Sequence, residues 1–166
     1  MVKEFGWKSG IAQAHSNIAF IYNSKGDYRK AIELHQKALD IYEKLDEKRS
    51  TSHTLYSIGN LYFNIGELDK ALELFFRSSK MNEESGAKPM IARDYNRIGA
   101  VYYEKGNYTE AAKFIDDCLS LHKELDEKVH FSITTAHLHI CYKHLGKEYD
   151  NNELTNFINH FNIDEI

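Results

Sequence analysis

Four glycines, Gly26, Gly66, Gly106 and Gly146, stand 40 residues apart along the chain. Tyr22, Tyr62, Tyr102 and Tyr142 keep the same interval four residues ahead of each glycine, and Ala31, Ala71 and Ala111 keep it five residues behind. The aligned blocks read YNSKGDYRKAIEL, YFNIGELDKALEL and YYEKGNYTEAAKF. A period of this length marks one supersecondary unit used several times over. Such a unit cannot bury its apolar face alone, so neighbouring units must stack.

Each unit carries two amphipathic helices. Before the glycine, apolar or small residues recur at helical spacing, as in Leu55, Ile58, Gly59, Tyr62 and in Tyr95, Ile98, Gly99, Tyr102. After it a second stripe follows, Tyr28, Ala31, Ile32, His35, Ala38, Leu39, Tyr42, with counterparts at Leu68, Ala71, Leu72, Phe75 and at Tyr108, Ala111, Ala112, Ile115. The glycine between the helices suits a sharp reversal, because it takes positive φ without steric cost. Asp27 and Asn107 are good N-caps for the second helix, and Glu67 is a poorer one. Small residues at 19, 59 and 99 on the first helix, and at 31, 71 and 111 on the second, predict close helix approach.

This pattern resembles the tetratricopeptide repeat family: Leu-Gly or Ile-Gly, then Tyr, then Gly-x-Tyr, then Ala, as in Ile58-Gly59, Tyr62, Gly106-Asn107-Tyr108 and Ala111. The resemblance implies an all-α fold, a right-handed α-α superhelix or solenoid of about four antiparallel helix hairpins with a C-terminal capping helix. The whole chain, 1–166, is then one domain, with repeats at approximately 9–47, 48–86, 87–127 and 128–162. The period exceeds the family's usual 34 residues, which implies roughly 1.5 additional helical turns per unit. Long-helix variants of this kind are similar to arrays in signalling scaffolds and bacterial sensor proteins.

Overlaying residues 1–10 on 41–50 aligns Glu4-Phe5-Gly6-Trp7-Lys8 with the tail of a second helix, Lys44-Leu45-Asp46-Glu47-Lys48. The chain is therefore expected to begin inside a repeat, either as a short native turn or as a cut through a longer array. At the other end His139 takes the small position and Asn151 replaces the alanine. Leu154, Phe157, Ile158 and Phe161 still form a stripe, with Asp150 and Glu153 as a capping-box-like start, and this predicts a terminal cap.

In such a stack the resemblance puts the first helices on a concave surface and the second helices on the convex one. The groove candidates are Gln13, Ser16, Asn17 and Phe20 in the first unit, and His53, Tyr56, Ser57, Asn60 and Phe63 in the second. The third offers Arg93, Asn96, Arg97, Ala100 and Tyr103, and the fourth Ile133, Ala136, His137, Ile140 and Lys143. Gln13, Asn17, His53, Tyr56, Asn60, Arg93, Asn96, Arg97 and His137 form the core of the expected partner-binding groove. Arg93 and Arg97 sit one helical turn apart and are expected to grip carboxylates of a peptide or protein ligand. Converting both to Glu is expected to abolish capture without disturbing the fold. Some relatives carry a five-residue clamp for a C-terminal carboxylate. Arg93 and Arg97 match its last two sites, but Ser16, Phe20 and Ser57 stand where a lysine and two asparagines belong, so that clamp is not expected.

Other function classes find little support. A formal charge of −4 lacks the clustered cationic excess of a nucleic-acid binder, and no apolar run approaches the ~18 residues needed to span a bilayer. Cys118 and Cys141 have neither metal nor redox spacing and read as buried thiols in a cytoplasmic setting. His130, His137 and His144 share a face, but seven residues of helix span about 10.5 Å, too far for one ion. Neither a phosphate loop nor a nucleophile elbow is present, so no cofactor and no enzymatic activity are expected. Acids such as Glu43, Asp46, Glu47 and Glu83 read as a solvated convex face. The expected function is a protein-binding scaffold. Two alternatives are a sensor segment of a larger signalling protein of kinase or cyclase type, and head-to-tail self-association.

Overall fold

The computed structural model describes residues 2–147, which form seven helices. These are α1 (Val2–Ser24), α2 (Tyr28–Lys44), α3 (Lys48–Asn64), α4 (Leu68–Glu84), α5 (Lys88–Glu104), α6 (Tyr108–Glu124) and α7 (Lys128–His144). No strand occurs among the described residues. From α2 onward each helix has 17 residues. Each is followed by a three-residue turn, so the 40-residue unit is two near-equal rungs.

Every turn is built alike. One residue takes the left-handed conformation: Gly26, Asp46, Gly66, Gly86, Gly106, Asp126 and Gly146, with φ between 52° at Asp46 and 79° at Gly26 and Gly66. The N–H of the next residue then returns to the carbonyl five positions earlier, as Asp27 to Tyr22 at 2.9 Å, Glu47 to Tyr42 at 3.0 Å and Ala87 to Asn82 at 2.9 Å. This 6→1 bond satisfies a carbonyl left open at the helix end and sets the reversal angle. The side chains of Asp27 and Asn107 accept hydrogen bonds from the Lys30 and Glu110 amides, whereas Glu67 makes no side-chain cap bond. Asp46 and Glu47, expected on a convex helical face, instead lie in the turn after α2.

Helices pack mainly with their neighbours in sequence: α1 with α2, α3 with α4, α5 with α6, and each second helix with the first helix that follows it. The molecule is an all-α helical-repeat superhelix. Within the second and third hairpins the contact is close because the first helix offers no side chain at its centre. A β-carbon on Gly59 would stand 2.7 Å from the Phe75 ring, and one on Gly99 would stand 2.7 Å from Ile115 Cγ1. Phe75 and Ile98 are fully buried in the cluster that joins the second and third hairpins.

The N-terminal expectation changes in the structure. Residues 2–24 run as one continuous helix of 23 residues, so Glu4 to Lys8 lengthen α1 and do not end a separate second helix. The expected capping stripe Leu154, Phe157, Ile158 and Phe161 lies outside the described residues.

Gly66 has open space around it, so Gly66→Ala isolates the backbone cost of left-handed geometry. Urea denaturation is expected to show a loss of about 1–2 kcal/mol, whereas Asp46→Gly holds stability level or raises it by up to about 1 kcal/mol. Gly59→Ala adds helix propensity of about 1 kcal/mol yet meets the stiff Phe75 ring. A net loss of about 1–3 kcal/mol is expected from this overpacking, and it should shrink in a Gly59→Ala, Phe75→Leu double variant.

Candidate functional site

The first helices of successive hairpins line three adjoining hollows. The largest, about 730 Å³, lies among α1, α2 and α3 and is walled by residues that include Gln13, Asn17, Phe20, His53, Asn60 and Arg97. A second, about 500 Å³, lies along α3, α5 and α7 and shares Tyr56 and Arg97 with the first. A third, about 240 Å³, shares Asn96 and His137 with the second and extends to Tyr103 and Ile140. The three form one trough.

All nine core groove candidates line this trough. Gln13, Asn17, His53 and Asn60 face the first hollow, Tyr56 and Arg97 the first and second, Arg93 the second, and Asn96 and His137 the second and third. Ser16, Phe20 and Ser57 join the first, and Ala100, Tyr103 and Ile140 the third. Phe63 packs instead against the Ala71–Phe75 cluster, and Lys143 is exposed without lining a hollow. Ile133 and Ala136 lie outside the residues whose side chains are described. The amides are pre-ordered: Gln13 Nε2 donates to Asn17 Oδ1 at 2.9 Å, and Asn60 Nδ2 donates to the Tyr56 carbonyl at 3.0 Å.

Tyr56 organises the cations at the centre. The Arg93 guanidinium lies 3.7 Å from its ring centroid, and Arg97 Nε donates to its hydroxyl at 3.3 Å. Arg93 also reaches back to Asp94 Oδ1 at 3.2 Å. Asp94 is fully buried. Its Oδ2 accepts from Asn82 Nδ2 at 2.7 Å and lies 2.8 Å from the Ser78 hydroxyl, which is also 3.0 Å from the Ser52 carbonyl. Burial pushes the Asp94 carboxyl above the ordinary range, and the Arg93 charge and these hydrogen bonds pull it back only in part. Arg93 therefore neutralises an internal acid, and the Arg93→Glu, Arg97→Glu exchange expected to spare the fold would strand a second carboxylate beside Asp94. Its folding-neutral premise fails on this geometry.

This network was missed in the sequence, although a signal for it exists. Asp94 interrupts the stripe Ile91, Asp94, Ile98, Val101, and Ser78 and Asn82 interrupt Ala71, Phe75, Ser78, Asn82. Polar side chains at core register predict hydrogen-bonded partners across the helix interface.

His35 and His53 lie in the first hollow's lining, and each is desolvated. Burial, then the nearby His53, lowers the His35 imidazole to about 4. Burial, then the charges of Arg93 and Arg49, lowers His53 below its ordinary value. The Nδ1 atom of His35 is buried without a hydrogen-bond partner. Cys118 and Cys141 are buried free thiols, and burial pushes Cys118 up to about 12. His144 stacks on Tyr108 with ring centroids 4.4 Å apart, and among the described residues no three His, Cys, Asp or Glu side chains form a metal-binding set.

A folded-state value near 4 for His35, against 6.5 when unfolded, means that only the unfolded chain takes up this proton as pH falls through that window. The contribution of this neutral, buried imidazole to stability is therefore fully present above about 6.5 and is lost between about 6.5 and 4. In His35→Leu the same limb of a stability-versus-pH curve, measured by urea denaturation, is expected to be distinctly flatter.

Comparison with known proteins adds to this geometry. Two profiles of the tetratricopeptide repeat match, over residues 10–84 and 95–125, together well over half the chain. No curated protein matches it in sequence. Among solved structures, the apo form of RapI superposes with a TM-score of 0.81 at 18% identity, covering 92% of this chain and 42% of that one. Aspartyl phosphate phosphatase F from Bacillus subtilis superposes at 0.78 and 20% identity, covering 95% and 40%. A signal transduction ATPase with a tetratricopeptide repeat sensor, from Pyrococcus horikoshii, superposes at 0.77 and 17% identity, covering 88% and 22%. The chain thus spans less than half of each of these proteins. With its repeated hairpins, its glycine-centred turns and both profile matches, the chain belongs to the tetratricopeptide repeat family.

Proposed function

We propose that this domain is a non-enzymatic binding module that holds an acidic peptide or protein segment in the trough of its first helices. The carrying observation is the charge of the largest hollow. Its lining includes the cations Arg49 and Arg97, with the neutral imidazoles of His35 and His53, but no Asp or Glu, in a chain that contains 25 acids and carries a formal charge of −4. Four asparagines and Gln13 share that lining and supply donors and acceptors suited to a peptide backbone. Guanidinium groups beside them favour carboxylates through charge-assisted, bidentate bonds. The acids in the other hollows, Glu104 and Glu127, stand toward α6 and α7, and Glu127 lies 2.8 Å from His122 Nδ1. An acidic ligand is therefore drawn toward α1–α3. The buried free thiols suit a reducing, cytoplasmic setting, and among the described residues no helix is long and apolar enough to cross a membrane.

A second reading, a sensor segment within a larger signalling protein, draws on the likeness to the ATPase whose repeats are described as its sensor. The two readings share the trough and differ in what binding does next.

The trough is tested with fluorescein-labelled peptides of equal length, one acidic and one basic, by fluorescence anisotropy at low and high salt. The acidic peptide is expected to bind at least tenfold more tightly at low salt. An Arg49→Glu, Arg97→Glu variant is expected to lose that preference with little change in helical circular dichroism, because neither arginine partners Asp94. Equal binding of both peptides, or an unchanged preference in the variant, overturns the reading.

A further inference from the structure

Several polar side chains of the largest hollow find partners within the protein. Gln13 bonds to Asn17, Asn60 to the Tyr56 carbonyl, and the Thr54 hydroxyl to the Ser50 carbonyl at 2.8 Å. Tyr42 is 3% exposed, and its hydroxyl lies 3.5 Å from Gln13 Oε1. His35 differs. It is 8% exposed in the same lining, yet its Nδ1 atom is buried and unpartnered. A buried polar atom without a partner is costly, and at the wall of a hollow it points to a ligand that offsets the cost.

The surroundings of His35 select the ligand. His53 of α3 shares the lining and lies near enough that a charge on it opposes one on His35. Among other titratable groups in this lining, α1 and α4 contribute none, α2 adds Tyr42, α3 adds Arg49 and Tyr56, and α5 adds Arg97. The charges of Arg93 and Arg49 also act on His53. Every charged group in the lining near pH 7 is therefore a cation, and with burial this keeps both rings largely neutral. An entering anion reverses that balance. A carboxylate beside the rings favours their charged form, and mutual repulsion lets only one of them take it. We propose that His35 and His53, beside Arg49, form a subsite for one carboxylate side chain of the ligand, and that the histidine pair takes up one proton as that side chain enters. The proton comes from solvent and the carboxylate stays ionised, so one positive charge meets one negative charge. Arginine alone gives no such link, because a guanidinium keeps its proton at every working pH. The subsite rests on the acidic-ligand reading above and adds its regulation: the grip tightens as pH falls from 8 toward 6. The sign follows from linkage, since the bound chain holds more protons than the free one. Below about 5 the ligand's own carboxyls begin to protonate, and the gain ends.

The full 166-residue chain is titrated calorimetrically with the same acidic peptide, unlabelled, in buffers of different ionisation enthalpy. At pH 6 about half a proton is expected to be taken up per peptide, with affinity about threefold tighter than at pH 8. The His35→Gln, His53→Gln variant is expected to bind without net uptake and with a flat pH profile. That result separates this pair from His137, which stands in the other two hollows. Because His35 is buried, histidine NMR of the unsubstituted chain supplies a second readout, with the single variant at exposed His53 used only to assign its resonance. Saturating peptide is expected to raise the titration midpoint of His35 or His53 by about one pH unit or more. Acid preference without proton uptake, uptake that survives in the double variant, or midpoints that do not move each overturn the subsite and leave the trough reading standing. Loss of acid preference at every pH overturns both.

Discussion

One residue in every 20 must sit in left-handed backbone, and the arrangement of the rest depends on it. With helices of fixed length and a 6→1 hydrogen bond at each reversal, the path of the chain is nearly periodic before any side chain packs. Five of the seven positions hold glycine, and Asp46 and Asp126 accept the strain. That regularity brings Gly59 opposite Phe75 and Gly99 opposite Ile115, where the absence of a β-carbon lets the two helices of a hairpin close on each other. The turns and the packing thus specify the same geometry.

The same regularity lines the first helices up along one side, producing a continuous trough, and it makes a polar insertion in the core repeat-specific. The seam between the second and third hairpins holds Ser78, Asn82 and Asp94, where other seams use Ala38 or Cys118 at the position of Ser78. Burying a carboxylate is costly unless its oxygens are satisfied, and here three donors from α4 and α5 surround it. Arg93 is held over the Tyr56 ring between these groups, and Tyr56 in turn orients Arg97. The electrostatics of the trough are therefore partly set by an acid that no solvent or ligand touches.

Much of this was legible from spacing alone. Glycine, tyrosine and alanine at 40-residue intervals disclosed the hairpins, and side-chain chemistry separated the working caps Asp27 and Asn107 from Glu67. First-helix register put the nine core groove candidates on one side because an α-helix carries its faces at a fixed period. The repeat edges expected near 47/48, 86/87 and 127/128 fall beside the turns between hairpins, but the reversing residues there were not singled out, because aspartate replaces glycine at 46 and 126 and an acid reads as surface. Arg93 looked available for the matching reason: a charge on a helix face is ordinarily solvated, and its internal partner is visible only once α4 is packed against α5. The N-terminal overlay misled because sequence similarity to a helix tail does not require the chain to turn there, and α1 runs straight through Gly6 and Gly10.

Contacts confined mainly to neighbouring helices have a mechanical corollary. An array of this kind behaves more like a leaf spring than a solid block: each seam bends by its own small amount, and the bends add along its length. The seam around Asp94 differs from the rest, because its hydrogen bonds have a preferred direction where apolar side chains can slide. The array is then expected to bend more readily at the apolar seams on either side of this one than at the seam itself.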